Sequence, residues 1–156
     1  MIWIIADTHF GHHNIKEYCQ RPDNYEKIIL KNLKKINFGD ILIHLGDIAL
    51  YKTPENNKLF LSKVPCTRWL LKGNHDSKSF NFYLENGWHV VAKTIYTSFF
   101  GRDITFSHEP LDIFEGINIH GHLHNEKRKT EKHYPVSIEQ EYDVINLEKF
   151  LTKYKK

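Results

Sequence analysis

Five short apolar runs, rich in β-branched residues, each end abruptly in polar residues of the kind that bind metals. The run 2–6 leads into Asp7-Thr8-His9, and the run 41–45 into Gly46-Asp47. Residues 68–71 precede Gly73-Asn74-His75-Asp76, 104–107 precede His108, and 117–120 precede Gly121-His122-Leu123-His124. Runs of this length and composition, bounded by Gly or Asp, read as buried strands. In open α/β sheets, ligands sit beyond the carboxyl ends of the strands. Five strands therefore deliver Asp, Asn and His to one end. The chain has eleven histidines in 156 residues, and chance scatter would not sort them this way.

Helical stretches separate the first four runs. Residues 14–19 form a short one, and 25–36 place Ile28, Ile29, Leu33 and Ile36 on one face. Thr53-Pro54-Glu55 reads as an N-cap, a first-turn proline and a first-turn acid opening a helix to about residue 63. Residues 77–85 stop at Asn86-Gly87. Beyond this the pattern turns to β: 90–99 and 102–107 flank Gly101 as a hairpin, and 134–138 reads as a further strand. Asn146 caps a last helix, 147–154. The order predicts an α/β sandwich of two sheets with helices outside, formed by one domain over 1–156.

Composition narrows the function classes. The longest apolar run has six residues, far short of the ~20 of a membrane span, and lacks the flanks of a signal peptide. Two cysteines, Cys19 and Cys66, make no framework of bridges and fit a reducing cytoplasm. The net charge of +3 is too small for a protein that coats nucleic acid.

The strand-end groups are Asp7, His9, Asp47, Asn74, His75, His108, His122 and His124. Carboxylate, amide oxygen and imidazole without thiolate suit Mn, Fe, Zn or Co rather than calcium. The set exceeds what one tetrahedral zinc can use but fits two ions sharing a bridging carboxylate, the arrangement that serves in-line displacement at phosphorus. Because Asn74 is neutral, two divalent ions would leave the site a residual positive charge that attracts a phosphate ester.

Asp7-x-His9, Gly46-Asp47, Gly73-Asn74-His75-Asp76, His108 and Gly121-His122-x-His124, in that order, resemble the calcineurin-like metallophosphoesterase superfamily. Each block is weak alone; the ordered set over residues 7–124 is specific. The form Asp7-Thr8-His9-Phe10-Gly11-His12-x-Asn14-Ile15 is similar to a compact bacterial and phage branch. The resemblance implies a four-layer α/β sandwich and two divalent ions, with manganese favoured. It implies that Asp7, His9 and His124 hold one ion and that Asn74, His108 and His122 hold the other. Asp47 would bridge both ions and His75 would assist the leaving group. A bridging hydroxide would then attack phosphorus in line. Some members of the superfamily have lost metal ligands and act as interaction scaffolds, but here no ligand is missing. The chain is too short for a cap domain and shows no Arg-rich pocket for a phosphate dianion. A phosphodiester is therefore expected ahead of a monoester. The expected partner is a small phosphate ester or a nucleotide, and nuclease activity is less favoured.

Other positions have competing readings. His12 and Asn14 either face the substrate or begin the following helix. Arg21 and Lys52 are candidate substrate contacts. Asp76 either orients its neighbours or, as the favoured reading, caps the helix after it. His44 and His120 read as core, while His13, His89 and His133 read as surface. The charged run 126–132 reads as a solvated hairpin within reach of a substrate phosphate.

Overall fold

Successive side chains of a strand point to opposite faces, and the first run divides accordingly. Trp3 and Ile5 join one buried cluster, Ile4 and Ala6 the other. The structure, a computed structural model, describes residues 1–125, 130–140 and 142–153. In the first sheet β1 (Ile2–Ile5), β2 (Ile41–His44), β3 (Thr67–Leu71) and β4 (Val90–Ala92) run parallel in the order β4-β3-β2-β1. The second sheet pairs β5 (Thr94–Phe99) antiparallel with β6 (Arg102–Ser107), then adds β7 (Ile117–His120) and β8 (His133–Pro135) in parallel. A short β9 (Ile145–Asn146) lies antiparallel beside β1 at the edge of the first sheet.

Helices α1 (Ile15–Tyr18), α2 (Tyr25–Asn32), α3 (Thr53–Leu61) and α4 (Phe80–Glu85) place Ile15, Tyr25, Ile29, Phe60 and Tyr83 in the cluster of Trp3, Ile5, Leu42 and Leu70. The second cluster joins Ile4, Ile43, Leu45 and Leu71 to Ile104, Phe106 and Ile119 of the other sheet. It also takes Leu147, Phe150 and Leu151 from α5 (Leu147–Thr152). The result is the expected α/β sandwich of two mixed sheets flanked by helices. The carboxyl ends of β1, β2 and β3 from one sheet, and of β6 and β7 from the other, meet at one rim.

Several local expectations shift. The run 90–99 breaks at Lys93, because β3 and β6 lie in different sheets and one strand cannot pair with both. The helix from Tyr25 ends at Asn32 and tightens into a 3₁₀ turn, Leu33–Lys35. Ile29, Leu33 and Ile36 are buried there and Ile28 only partly. Thr53 is the first helical residue, preceded by Lys52 in a left-handed conformation. The helix expected from 77 begins at Phe80, capped by Ser79, whose Oγ accepts from Phe82 N at 3.1 Å. Strand 134–138 shortens to β8, followed by a 3₁₀ turn at Ile138–Gln140. His133 is buried, not surface, with Nδ1 near Thr130 Oγ1 and Nε2 2.9 Å from the Leu111 carbonyl. Asn146 caps α5 as expected, accepting from Lys149 N at 3.0 Å. Residues 126–129 of the charged run, and the expected end of the last helix at 154, lie outside the described residues. No helix among the described residues is long and apolar enough to cross a membrane.

Candidate metal centre

Past the end of their strands, the first two motif loops run side by side. Asp7 N donates to Gly46 O at 3.0 Å, His9 N to Asp47 O at 2.9 Å and Phe10 N to Ile48 O at 2.8 Å. Asp7, His9, Asp47, His122 and His124 all have positive φ, between 47° and 68°. Left-handed backbone is uncommon outside glycine and concentrates where side-chain aim matters more than local comfort. Gly73 lies directly beneath Asp47: a Cβ there would stand 2.1 Å from Asp47 Oδ1 and 2.6 Å from its amide nitrogen. The glycine of that motif is a space requirement of the carboxylate.

Two groups of donors face one another. Asp7, His9 and His124 bring ligand atoms within 4.8 Å of each other, and so do Asp47, His108 and His122. Asp47 Oδ2 joins them, 3.6 Å from His9 Nε2 and 3.3 Å from His108 Nε2. Asn74 adds its Oδ1 to the second group, 2.9 Å from His108 Nε2, with His122 Nδ1 at 3.1 Å from the same nitrogen. The His108 Nδ1 lies 2.8 Å from the Leu45 carbonyl, which assigns its proton to that side and a lone pair to Nε2. Lone pairs from His108, Asn74, His122 and Asp47 then converge on one spot, which a single proton cannot satisfy and a cation can.

The first group shows the same need differently. Asp7 Oδ1, His9 Nδ1 and His9 Nε2 are buried without a hydrogen-bond partner. Burial lifts the Asp7 carboxyl to about 7, only partly opposed by His108 and His124. Burial also drives the His9 imidazole down to about 2, leaving it neutral. Burial lowers His108 too, but the adjacent Asp47 carboxylate outweighs it and raises the group to about 9, so a proton on Nε2 competes with a cation for that lone pair. Asp7 Oδ2 accepts from His122 N at 2.9 Å, but a buried carboxylate with its other oxygen unpaired is costly, and a neutral imidazole is the form that binds metal. These residues fit divalent cations.

His75 sits at the seam. Its backbone N–H donates to Asp47 Oδ1 at 2.9 Å, and its ring centroid is 5.2 Å from that of His9. Its donor also falls within 4.8 Å of the ligand atoms of His9 and Asp47. His12 is buried beside it, ring centroids 5.7 Å apart, and its Nδ1 has no partner. Asn14 is not drawn in: it stands exposed at the N-cap of α1, its carbonyl accepting from Glu17 N and Tyr18 N.

Arg21 is corrected. Its side chain is fully buried beneath the centre, paired with Glu139 and donating to the carbonyls of Asp7 at 2.8 Å and Thr8 at 3.2 Å. It braces the first motif and has no surface to offer a substrate. Glu139 is the residue that sequence reasoning missed. Its Oε1 takes His124 Nδ1 at 2.9 Å, and its Oε2 takes Ser137 Oγ at 3.1 Å. No spacing rule connects it to Arg21, 118 positions away. Asp76 is corrected too. It does not cap α4 but accepts from the backbone N–H of Asp47 at 2.8 Å, Ile48 at 3.0 Å and Gly73 at 2.9 Å, so it locks two motif loops together. His44 and His120 are core, as expected.

The calcineurin-like phosphoesterase model matches residues 1–154. The chain belongs to that family. This calcineurin-like phosphoesterase is 29% identical over 163 aligned positions to the uncharacterized protein MJ1445 of Methanocaldococcus jannaschii, covering 93% of this chain and 83% of that one. It also resembles the crystal structure of AQ665, a protein of unknown function from Aquifex aeolicus. That match has a TM-score of 0.78 and 25% identity, with 99% of each chain covered. Membership of a phosphoesterase family, with a His/Asp cluster able to hold metal, supports metal-dependent phosphoester chemistry in general.

Proposed function

We propose that this protein is a dinuclear metal-dependent phosphoesterase acting on a phosphodiester, with phosphomonoesters as the lesser class. The observation that carries the reading is the pair of ligand groups sharing Asp47, with unpartnered buried donor atoms on Asp7 and His9. Asp7, His9 and His124 would hold one ion, Asn74, His108 and His122 the other, and Asp47 both. Oxygen and imidazole donors without thiolate suit Mn, Fe, Zn or Co, and the family resemblance favours manganese.

Two bound divalent ions would offset phosphate charge and supply a water of lowered pKa for in-line attack on phosphorus. The chain does the rest. Asp76 fixes the backbone of Asp47, and Asp47 Oδ1 in turn anchors the His75 amide. His75, partly exposed at the rim, delivers a proton to the departing oxygen. His12, next to it, contacts the substrate. The 156 residues work as one domain on a small phosphate ester or a nucleotide, and the free thiols of Cys19 and Cys66 fit the cytoplasm. The test is metal analysis, then turnover of bis-p-nitrophenyl phosphate and p-nitrophenyl phosphate by manganese-loaded protein. Two ions per chain with the diester preferred is the expected result. A protein that holds two ions and turns over neither ester would overturn the reading.

A further inference from the structure

Beyond His75 and His12, away from the metal ligands, the rim of the centre becomes aromatic. The rings of Tyr18 and Tyr51 each stand 6.4 Å from that of His12, both at 71° to it, and His13 stacks on Tyr51 at 6.4 Å. His12 in turn packs 5.3 Å from His9 and 5.7 Å from His75. A path of rings thus leads from the metal ligands to solvent, with Tyr18 at 72% and Tyr51 at 55% exposure at its outer end. Tyr51 lies on the loop that carries Asp47, and Tyr18 ends α1, the helix that follows the loop of Asp7 and His9. The two motif loops are joined by a β-bridge between Phe10 and Ala49, so the segments that lead to both rings start from the backbone that places the ligands.

Neither the metals nor the apolar core uses these two rings. His12, at their inner edge, is more than nine-tenths buried and has an Nδ1 with no partner. Lys52, exposed beside Tyr51, adds positive charge to the same rim. Exposed tyrosines beside a phosphate-binding centre suit one kind of ligand, a phosphate joined to a planar heteroaromatic ring. Base–aromatic stacking is sequence-tolerant and strong enough to sort substrates.

We propose that Tyr18 and Tyr51 form a stacking platform for the nucleobase of a nucleotide whose phosphate lies at the metals, with His12 bonding the group between them. The assignment rests on the phosphoesterase reading above and narrows its substrate class to nucleoside phosphates. The test compares adenosine 5′-monophosphate with ribose 5-phosphate, which keeps the phosphate and sugar and lacks the base. Binding to the manganese-loaded protein is read by calorimetry, independently of turnover. Adenosine monophosphate should bind at least about tenfold tighter. The advantage should vanish in a Tyr18→Ala, Tyr51→Ala double variant that binds ribose 5-phosphate as the wild type does.

A 5′-phosphorylated dinucleotide separates the two sources of the base. Affinity equal to the monophosphate assigns the platform to mononucleotides, and tighter binding assigns it to the end of a strand; both support the platform. Equal affinity of the wild type for adenosine monophosphate and ribose 5-phosphate would overturn it, whatever the variants do. Turnover of bis-p-nitrophenyl phosphate keeps the two ideas apart. Turnover without a base preference removes the platform alone. A base preference without turnover removes the phosphoesterase reading alone.

Discussion

The Arg21–Glu139 pair makes a prediction with two separable parts. Glu139 Oε1 serves both the Arg21 guanidinium and His124 Nδ1, in a site where the Arg21 side chain is fully buried and Glu139 is 4% exposed. Glu139→Gln keeps the shape and one acceptor but removes the charge. The first consequence is structural: breaking a buried ion pair from one side costs about 3–5 kcal/mol, because the other charge stays buried and unpaired. With a urea m-value of about 2 kcal/mol/M, the midpoint in EDTA should fall by roughly 1.5–2.5 M. The second consequence is chemical. A carboxylate behind a metal-binding histidine orients the ring and raises its basicity, and its loss costs about 10–100-fold in metal affinity. That is about 1.4–2.7 kcal/mol.

A double variant, Arg21→Met with Glu139→Gln, separates the parts. It leaves no unpaired charge but strands the Asp7 and Thr8 carbonyls that Arg21 serves, so only part of the urea midpoint should return. The carboxylate behind His124 is still missing, so the weaker metal binding should remain. Urea titration in EDTA and manganese calorimetry on the three proteins are the assays. If the double variant recovered wild-type metal affinity along with that part of its midpoint, Glu139 would be a folding residue only. The proposed link from Arg21 through Glu139 to His124 would then be wrong.

Other expectations are simpler. Gly73→Ala forces a methyl against Asp47 at 2.1 Å and should cost about 1–3 kcal/mol of stability; calorimetry should also find its metal binding weakened, and an unchanged protein would contradict the close approach. His75→Ala should keep two metals and lose about 10²–10⁴-fold in turnover of an alkyl or nucleoside ester, with a much smaller loss on p-nitrophenyl esters, whose leaving group needs no proton. Metal loss in that variant would make His75 a ligand. Burial holds the His44 imidazole down at about 3 from its ordinary 6.5, so the unfolded chain takes up the proton first and stability falls as pH drops below 6.5. Between pH 7 and 5 this one group should remove about 2 kcal/mol, and His44→Asn, followed by denaturation in EDTA at both pH values, should lack that component.

Elements whose signal is local are legible in the sequence. A β-branched run ending in Gly or Asp needs no distant partner to announce itself, and all five runs are strands whose bounds differ from the reading by at most two residues. Asn146 caps α5 as its type and position require. The misplaced boundaries are those that a neighbour decides. Residues 90–99 have the composition of one strand, yet they must pass from β3 in one sheet to β6 in the other, and only the pairing shows where they break.

The same division runs through the centre. The candidate ligands are confined to strand ends and carry donor atoms, so the eight strand-end groups can be read from the sequence. Their division between two ions and the setting aside of His75 come from the family resemblance. The residues that aim those ligands have no such mark. Asp76 has the sequence context of a helix cap, but Ser79 takes the cap, and Asp76 turns inward to three N–H groups that the Asp47 and Gly73 loops would otherwise leave unpaired in a buried place. An orphaned buried donor costs about 1–3 kcal/mol, so three of them outweigh one exposed cap, typically worth about 1 kcal/mol. Arg21 fails as a substrate contact on similar grounds. Guanidinium groups bind phosphate well, but this one already bonds two carbonyls and Glu139 below the ligands, and freeing it would strand Glu139 with its charge buried. The function of a charged residue near a site is thus set by which other buried charge depends on it, and that dependence lies across the fold, not along the chain.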